Sequence, residues 1–132
     1  MPTVRARSFT FTINNYDDAN VANLDRVLVN QTEVNYAVYG FEVGASGTPH
    51  IQGYVSFGNI KSFAAVKRFL VAPTAHLEQA RGTATENRTY CIKEGDAHEF
   101  GSLPQQRQVH IIVNGATIQV SFNQVVDLTH LD

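Results

Sequence analysis

Two strand-like segments joined by a short turn constrain the fold of this chain more than any other feature. Val34–Val43 and Pro49–Phe57 are rich in apolar residues and of strand length, and residues 44–47 between them read Gly-Ala-Ser-Gly. Glycine and serine favour tight turns, and a connection this short joins antiparallel strands. The pair therefore predicts an antiparallel hairpin and argues against a sheet built from βαβ repeats.

The segments that flank the hairpin alternate between strand and helix patterns. In chain order they predict a strand over Arg7–Ile13, a helix from Asp17 or Asp18 to about Asn30, a short helix capped by Ser62, a strand over Ala75–Ala80 and a helix from Thr83 or Thr85 to Lys93. The resulting order, β-α-β-β-α-β-α, is typical of an α+β domain with helices packed on a central, mainly antiparallel sheet.

The end of the chain has a pattern of its own. Val109–Phe122 predicts a second hairpin with Asn114-Gly115 at its turn, and Asn123–Leu128 predicts one helical turn. We accordingly divide the chain into a domain over residues 1–104 and a linker with an unassigned hairpin-like tail over residues 105–132.

Composition sets the broad class. Of the 132 residues 43% are hydrophobic, which excludes wholesale disorder, and the single cysteine, Cys91, excludes an internal disulfide and a cysteine-rich zinc site. No apolar run approaches the ~20 residues of a membrane-spanning helix. Ten Lys and Arg against twelve Asp and Glu give a net charge of −2. We therefore expect a soluble, intracellular domain with no membrane partner, in which binding to a polyanion needs a local basic face or a metal ion.

Polar side chains on the predicted hairpin supply a candidate metal site. His50 and Gln52 stand two residues apart on one strand and so point to the same face, while Ile51 points to the other. Across the turn Glu42 ends the partner strand, and its carboxylate is expected beside the His50 imidazole. This mixed nitrogen and oxygen set suits Mg²⁺ or Mn²⁺ better than structural zinc. A His-x-Gln pair by itself is more often simply a polar surface.

Tyr90 and Lys93 are three residues apart on the last predicted helix, and therefore on one face. A phenol is a poor nucleophile at its free pKa of about 10. A nearby cation or a metal-polarised phosphate allows it to attack a phosphodiester. Lys93 would supply that cation or hold the DNA backbone. Taken alone, such a pair more often means a half-buried tyrosine and a solvated lysine.

In combination these motifs are specific, and they resemble a known family. Phe11–Asn15, Gly47–Tyr54 and Tyr90–Gly95 match three motifs in order, and His76–Thr83 is similar to the stretch between the second and the third. The chain resembles the replication initiator (Rep) proteins of eukaryotic circular single-stranded DNA viruses, the circovirus and geminivirus-like group of the HUH endonuclease superfamily. The resemblance covers roughly residues 7 to 104 and implies a ferredoxin-like or RRM-like sheet.

The resemblance implies a role for each motif. His50 and Gln52 match the metal-binding pair, with Glu42 in the place of the third, acidic ligand of Mn²⁺ or Mg²⁺. Tyr90 matches the nucleophile that nicks single-stranded origin DNA through a 5′-phosphotyrosine, and Lys93 matches the lysine that follows it. The implied activity is a metal-dependent endonuclease and strand transferase that begins and ends rolling-circle replication in the host nucleus.

The implied partner is single-stranded DNA from a viral origin stem-loop. Asn14 and Asn15 lie in the motif associated with origin recognition. The candidates to follow the DNA backbone or stack on a base are Arg5, Arg7, Arg81, Arg88 and Tyr54. We expect this domain to be monomeric and leave a homo-oligomer open for a full-length protein.

Two departures from the family pattern limit what it implies. No G-x-x-x-x-G-K-[ST] motif occurs, so helicase and ATPase activity are not carried over to this chain. The tail after about Gln108 has no counterpart in the family.

Two other functions stay open from the sequence. A non-catalytic RNA- or single-stranded DNA-binding module of RRM-like fold would use Tyr54 and Phe57 as stacking platforms, but it leaves the Tyr90 motif unexplained. A metal-dependent phosphodiesterase that activates water needs no tyrosine nucleophile.

His98 has no partner pattern and is expected on the surface.

Overall fold

A computed structural model describes residues 4–104 and 108–121 of the protein. The elements are β1 (Arg5–Asn14), α1 (Asp18–Leu28), β2 (Val34–Val43), β3 (Pro49–Ser62), α2 (Phe63–Leu70), β4 (His76–Gln79), α3 (Ala84–Cys91), β5 (Ala97–Gly101), β6 (Gln108–Val113) and β7 (Ala116–Ser121). Strands β1 to β5 form one sheet in the order β4-β1-β3-β2-β5, in which all neighbours are antiparallel. The predicted α+β class with a mainly antiparallel central sheet is confirmed.

The predicted hairpin is present as β2 and β3. Its register pairs Glu42 with His50 and Val43 with Pro49, next to a turn in which Gly47 has a φ of 85°. Strand β3 is longer than predicted, because beyond Phe57 it continues to Ser62 and pairs with the start of β1. This extension is largely exposed and polar, so it lacks the alternating pattern from which strands are predicted.

Side-chain caps begin the helices where the sequence predicts them. Asp17 caps α1, Ser62 caps α2 and Thr83 caps α3, each accepting a hydrogen bond from a backbone N–H of the first turn. Helix α3 ends earlier than predicted, at Cys91, so Lys93 lies in the turn that follows it. The predicted helical turn at residues 123–128 lies outside the described residues.

Strand β5 is the element that the sequence analysis missed. It pairs with β2 along the open edge of the hairpin, with His98 opposite Tyr39 and Glu99 opposite Val38. Its residues are Ala-His-Glu-Phe-Gly, which carry no β-branched side chain and follow a helix that was predicted to end at a glycine. The pairing with β2, about sixty residues earlier, decides its conformation.

The two faces of the sheet are covered differently. Helices α1 and α2 close one face over an apolar core whose members include Phe9, Phe11, Tyr39, Ile51, Val55, Phe57, Leu24, Leu28, Val66 and Leu70. Helix α3 covers part of the other face, over a smaller cluster of Tyr36, Val38, Tyr54 and Cys91. The candidate site residues lie on this second face, beside α3.

The tail hairpin pairs β6 with β7 in a separate two-stranded sheet. Asn114 and Gly115 at its turn have φ values of 51° and 78°, the left-handed conformation that a two-residue Asn-Gly turn requires. Across the described part of the chain, the helices are all too short or too polar to cross a membrane.

Candidate active site

The hairpin places a histidine and a glutamate side by side. Nε2 of His50 lies 2.8 Å from Oε2 of Glu42, as the predicted turn implies. The other ring nitrogen, Nδ1, lies 3.3 Å from the Thr48 carbonyl oxygen. At 2.8 Å a proton on Nε2 is donated to the Glu42 carboxylate. A metal ion would take the place of this proton, and a proton on Nδ1 donated to the Thr48 carbonyl would then orient the ring.

Gln52 lies one step along β3 from this pair, on the same face of the sheet. Its Oε1 accepts a hydrogen bond from the Thr12 hydroxyl at 3.1 Å, across the β1–β3 pairing. This bond orients the amide oxygen and leaves one of its lone pairs free. Asn14 pairs with His50 and is exposed, whereas Asn15 adopts a φ of 52° at the turn that follows β1.

Tyr90 and Lys93 reach this face from the end of α3. Tyr90 is 53% exposed, which leaves its hydroxyl accessible. Nζ of Lys93 lies 3.4 Å from the centre of the Tyr90 ring and 2.6 Å from Oε1 of Glu42. The four side chains therefore form one continuous chain of contacts, from Tyr90 through Lys93 and Glu42 to His50.

The charges in this chain of contacts stabilise one another. Burial opposes ionisation of Glu42, but its bonds to Lys93 and His50 outweigh burial and hold the pKa of the carboxyl below its usual range. Partial burial likewise opposes the charge on Lys93, while Glu42 and Tyr90 raise the pKa of the ammonium above its usual value. Glu42 is thus a carboxylate and Lys93 a cation near neutral pH.

The donor set fits a hard divalent cation. Oε1 of Glu42 is buried and has no hydrogen bond of good geometry, so its charge is balanced by the nearby Lys93 ammonium. The available ligands would be this carboxylate, Nε2 of His50 and Oε1 of Gln52. Among the described residues no three His, Cys, Asp or Glu side chains are grouped to hold a metal ion. A cation here would therefore need the glutamine oxygen, an arrangement that suits Mg²⁺ or Mn²⁺.

The candidate DNA-contacting arginines are distributed over two regions. Arg81 lines a cavity of about 210 Å³ between β4, β1 and α3, together with Thr10, Glu78, Gln79 and Asn87. Arg5 and Arg7 are exposed at the far end of β1. At ~3.3 Å per strand residue they stand roughly 20–30 Å from Asn14 and the histidine. The structure therefore brings Arg81, but not Arg5 or Arg7, near the helix that carries Tyr90. The fourth candidate, Arg88, lies on that helix and is ion-paired with Glu99.

The expectation that Tyr54 is an exposed stacking aromatic is wrong. Tyr54 is 5% exposed, because α3 covers it and its ring packs 6.2 Å from that of Tyr36. Phe57 is fully buried in the core on the opposite face. The two stacking platforms of an RRM-like binding module are thus inaccessible and do not share a face.

Several contacts of the site were not predicted from the sequence. The ion pair of Lys93 with Glu42 and the Thr12 bond to Gln52 join distant parts of the chain. The Arg88 ion pair with Glu99 joins α3 to β5, the strand that was not predicted. His98, expected on the surface, is half-buried and its Nδ1 lies 2.7 Å from the Tyr39 hydroxyl. A strand prediction at β5 would have indicated the contacts of Glu99 and His98, since a strand places these two neighbours on opposite faces of the sheet.

Comparison with known proteins assigns the chain to a family. A family model described as "Putative viral replication protein" matches residues 6–94, a stretch that contains the whole chain of contacts from Tyr90 to His50. The chain belongs to this family. The predicted resemblance to Rep proteins of circular single-stranded DNA viruses is thereby confirmed.

Curated relatives agree with the assignment. The replication-associated protein of Beak and feather disease virus is 42% identical over 90 residues, which cover 68% of this chain and 30% of the relative. The master replication protein of Banana bunchy top virus is 38% identical over 97 residues, covering 70% and 30%. Para-Rep C2 of Subterranean clover stunt C2 alphasatellite is 38% identical over 96 residues, covering 73% and 34%. The chain spans about a third of the length of these Rep relatives.

Proposed function

We propose that this Rep chain carries the DNA-nicking and DNA-joining activity of a rolling-circle replication initiator, acting on single-stranded origin DNA in the host nucleus. The observation that supports it most is the continuous set of contacts from Tyr90 through Lys93 and Glu42 to His50. An accessible phenol lies on one side of this set, and metal-ligating groups lie on the other. This is the combination that a tyrosine-dependent phosphodiester cleavage needs.

Glu42, His50 and Gln52 would hold one Mn²⁺ or Mg²⁺ ion. Such an ion polarises the scissile phosphate and offsets the negative charge that develops on it. Thr48 and Thr12 support the ligands, since they orient the imidazole and the amide respectively.

Tyr90 is the nucleophile of the proposed reaction. Its oxygen forms a bond to the phosphorus while the bond from phosphorus to the 3′ oxygen breaks. The products are a 5′-phosphotyrosine and a 3′-hydroxyl, and the proton lost by the phenol balances the proton gained by the leaving oxygen. Lys93, at the face of the Tyr90 ring, favours the negative charge that develops on the phenol oxygen. The reverse transfer rejoins strands without a nucleotide cofactor.

The cavity lined by Arg81, beside α3, is the proposed path of the DNA strand. Thr10, Gln79 and Asn87 offer hydrogen bonds there, and Arg81 offers a cation for a phosphate. Glu78 also lines this cavity and places a negative charge in it. The chain as a whole is slightly acidic as well. We therefore propose specific recognition of a folded origin strand, with weak binding to unrelated DNA.

A covalent-adduct assay tests the proposal. The chain is incubated with a single-stranded origin-loop oligonucleotide and Mn²⁺, then separated on a denaturing gel. Wild type should give a slower protein band that EDTA prevents, and Tyr90→Phe should give none. Tyr16→Phe is the matched control, because Tyr16 packs on Phe41 over the opposite face of the sheet and should leave the band unchanged.

The same gel separates the alternative functions. Cleavage by Tyr90→Phe at the wild-type rate would mean that water is the nucleophile. Absence of cleavage with any origin loop, together with tight binding to RNA, would favour a non-catalytic module. Both outcomes contradict the proposal.

A further inference from the structure

We propose that Glu99 is a positioning residue for Tyr90. It fixes α3 on the sheet through Arg88 and Tyr36, and so sets where the Tyr90 hydroxyl stands relative to Glu42 and His50. This inference rests on the proposed role of Tyr90 as the nucleophile.

Apolar packing holds α3 weakly. Cys91 is the one buried side chain among the eight residues of this helix. Helices α1 and α2 each bury two large aliphatic side chains, with Leu24 and Leu28 on α1 and Val66 and Leu70 on α2. Apolar burial is also non-directional, so a single small side chain does little to define how the helix is rotated.

One oxygen of the Glu99 carboxylate orients α3, which apolar packing alone leaves free to rotate. Oε2 of Glu99 lies 2.6 Å from Nε of Arg88 on α3 and 2.5 Å from the hydroxyl of Tyr36 on β2. Both groups donate to it, and charge-assisted bonds of this kind have strict geometry. In the described part of the chain, the other side-chain hydrogen bonds of α3 stay within the helix or join it to the preceding loop.

A second contact lies one helical turn further along, at the last residue of the helix. Gly40 lies on β2 beneath the end of α3, so close that a Cβ atom there would overlap the Cys91 carbonyl oxygen. Gly40 and Tyr36 are four residues apart on one strand, while Cys91 and Arg88 are one helical turn apart. Two contacts so arranged fix the position and rotation of the last turn of α3, and Tyr90 lies between them.

The loss of the Glu99 contact should therefore leave α3 attached but misaligned. A displacement of ~1 Å at a reacting group can reduce a reaction rate by up to ~100-fold. Binding of metal should change little, because Glu42, His50 and Gln52 take no part in this contact. Binding of DNA should weaken much less than the rate falls, because Arg88 keeps its charge and Asn87 is the one residue of α3 that lines the proposed DNA path.

The test compares Glu99→Gln with His98→Gln. These neighbours on β5 have comparable roles on opposite faces, since His98 joins β5 to Tyr39 and to Asp25 on α1. For Glu99→Gln we expect a single-turnover adduct rate at saturating DNA that is ~10–100-fold lower, with a far smaller change in the dissociation constant for the origin loop. Hydrogen exchange of the α3 amides should become faster. His98→Gln should lower the melting temperature without changing the adduct rate or α3 exchange.

A second variant tests whether Glu99 acts through Arg88. Arg88→Gln should lower the adduct rate as Glu99→Gln does, and the double variant should be no slower than either, because both changes remove one interaction. Adduct formation by Glu99→Gln at the wild-type rate, or equal losses in Glu99→Gln and His98→Gln, would overturn this proposal alone. A wild-type protein that forms no Tyr90 adduct would overturn the proposed function as well.

Discussion

At the scale of single residues, the Lys93–Glu42 ion pair governs the site in the absence of metal. Glu42 is buried and its carboxylate is ionised, so it needs a positive partner. Lys93 provides one at 2.6 Å, on the oxygen that has no other hydrogen bond in the described residues. A divalent cation and the Lys93 ammonium would therefore compete for one carboxylate. Cation binding would free Lys93 to act on Tyr90.

This competition predicts how Lys93→Met responds to metal. Without metal the variant leaves Oε1 of the buried Glu42 carboxylate without a positive partner, while Oε2 keeps its contact with His50. This should cost about 1–2 kcal/mol of stability, since the lysine is itself partly exposed. With Mn²⁺ the loss should largely disappear, and Mn²⁺ should bind more tightly than to wild type. Urea unfolding with EDTA and with Mn²⁺ measures both effects. The control is Lys61→Met, which breaks the pair with Glu33 and should be insensitive to Mn²⁺. A metal-independent loss in Lys93→Met would contradict the competition.

At the scale of elements, β5 joins the sheet to the helices on both of its faces. His98 and Glu99 are adjacent and point in opposite directions, each toward a buried tyrosine of β2, Tyr39 and Tyr36 respectively. Burial is the main cause that raises the pKa of both phenols well above 10, and the hydrogen bonds to Asp25 and Glu99 raise it further. Both tyrosines are therefore un-ionised donors at neutral pH and above it.

The raised pKa values predict an alkaline loss of stability. Above pH ~10 the unfolded chain releases its tyrosine protons, while the folded chain retains those of Tyr36 and Tyr39. Their contribution is thus fully present below pH ~10 and falls as the pH rises further. Tyr39→Phe should cost about 1 kcal/mol at pH 7 and make the alkaline decline shallower. Urea midpoints between pH 8 and 11 measure this, with Tyr16→Phe as the control. Equal slopes for Tyr39→Phe and wild type would contradict the assignment.

The sequence predicts the elements that depend on local chemistry and misses those that depend on pairing with distant strands. The caps at Asp17, Ser62 and Thr83, the hairpin and the Glu42–His50 pairing follow from local chemistry, and each was predicted. Strand β5 and the end of β3 were missed because pairing with distant strands, not their own residue pattern, makes them strands. The same limit hid the Glu99 contacts and the burial of Tyr54, since both depend on where α3 packs.

At the scale of the whole molecule, the main apolar core and the proposed active site lie on opposite faces of the sheet. Helices α1 and α2 bury the large core on one face, while the opposite face carries Glu42, His50 and Gln52 beside a lightly packed α3. The net charge of −2 provides no general attraction to DNA. Activity should therefore depend on the local arrangement of a few side chains around Tyr90.

Mass spectrometry of the covalent product tests this account most directly. The chain is incubated with an origin-loop oligonucleotide and Mn²⁺, and then digested with nuclease and protease. We expect a peptide containing Tyr90 that carries a 5′-linked nucleotide on the phenol oxygen, and a released strand that ends in a 3′-hydroxyl. A nucleotide attached to a different residue, or cleaved DNA with no protein adduct, would contradict it.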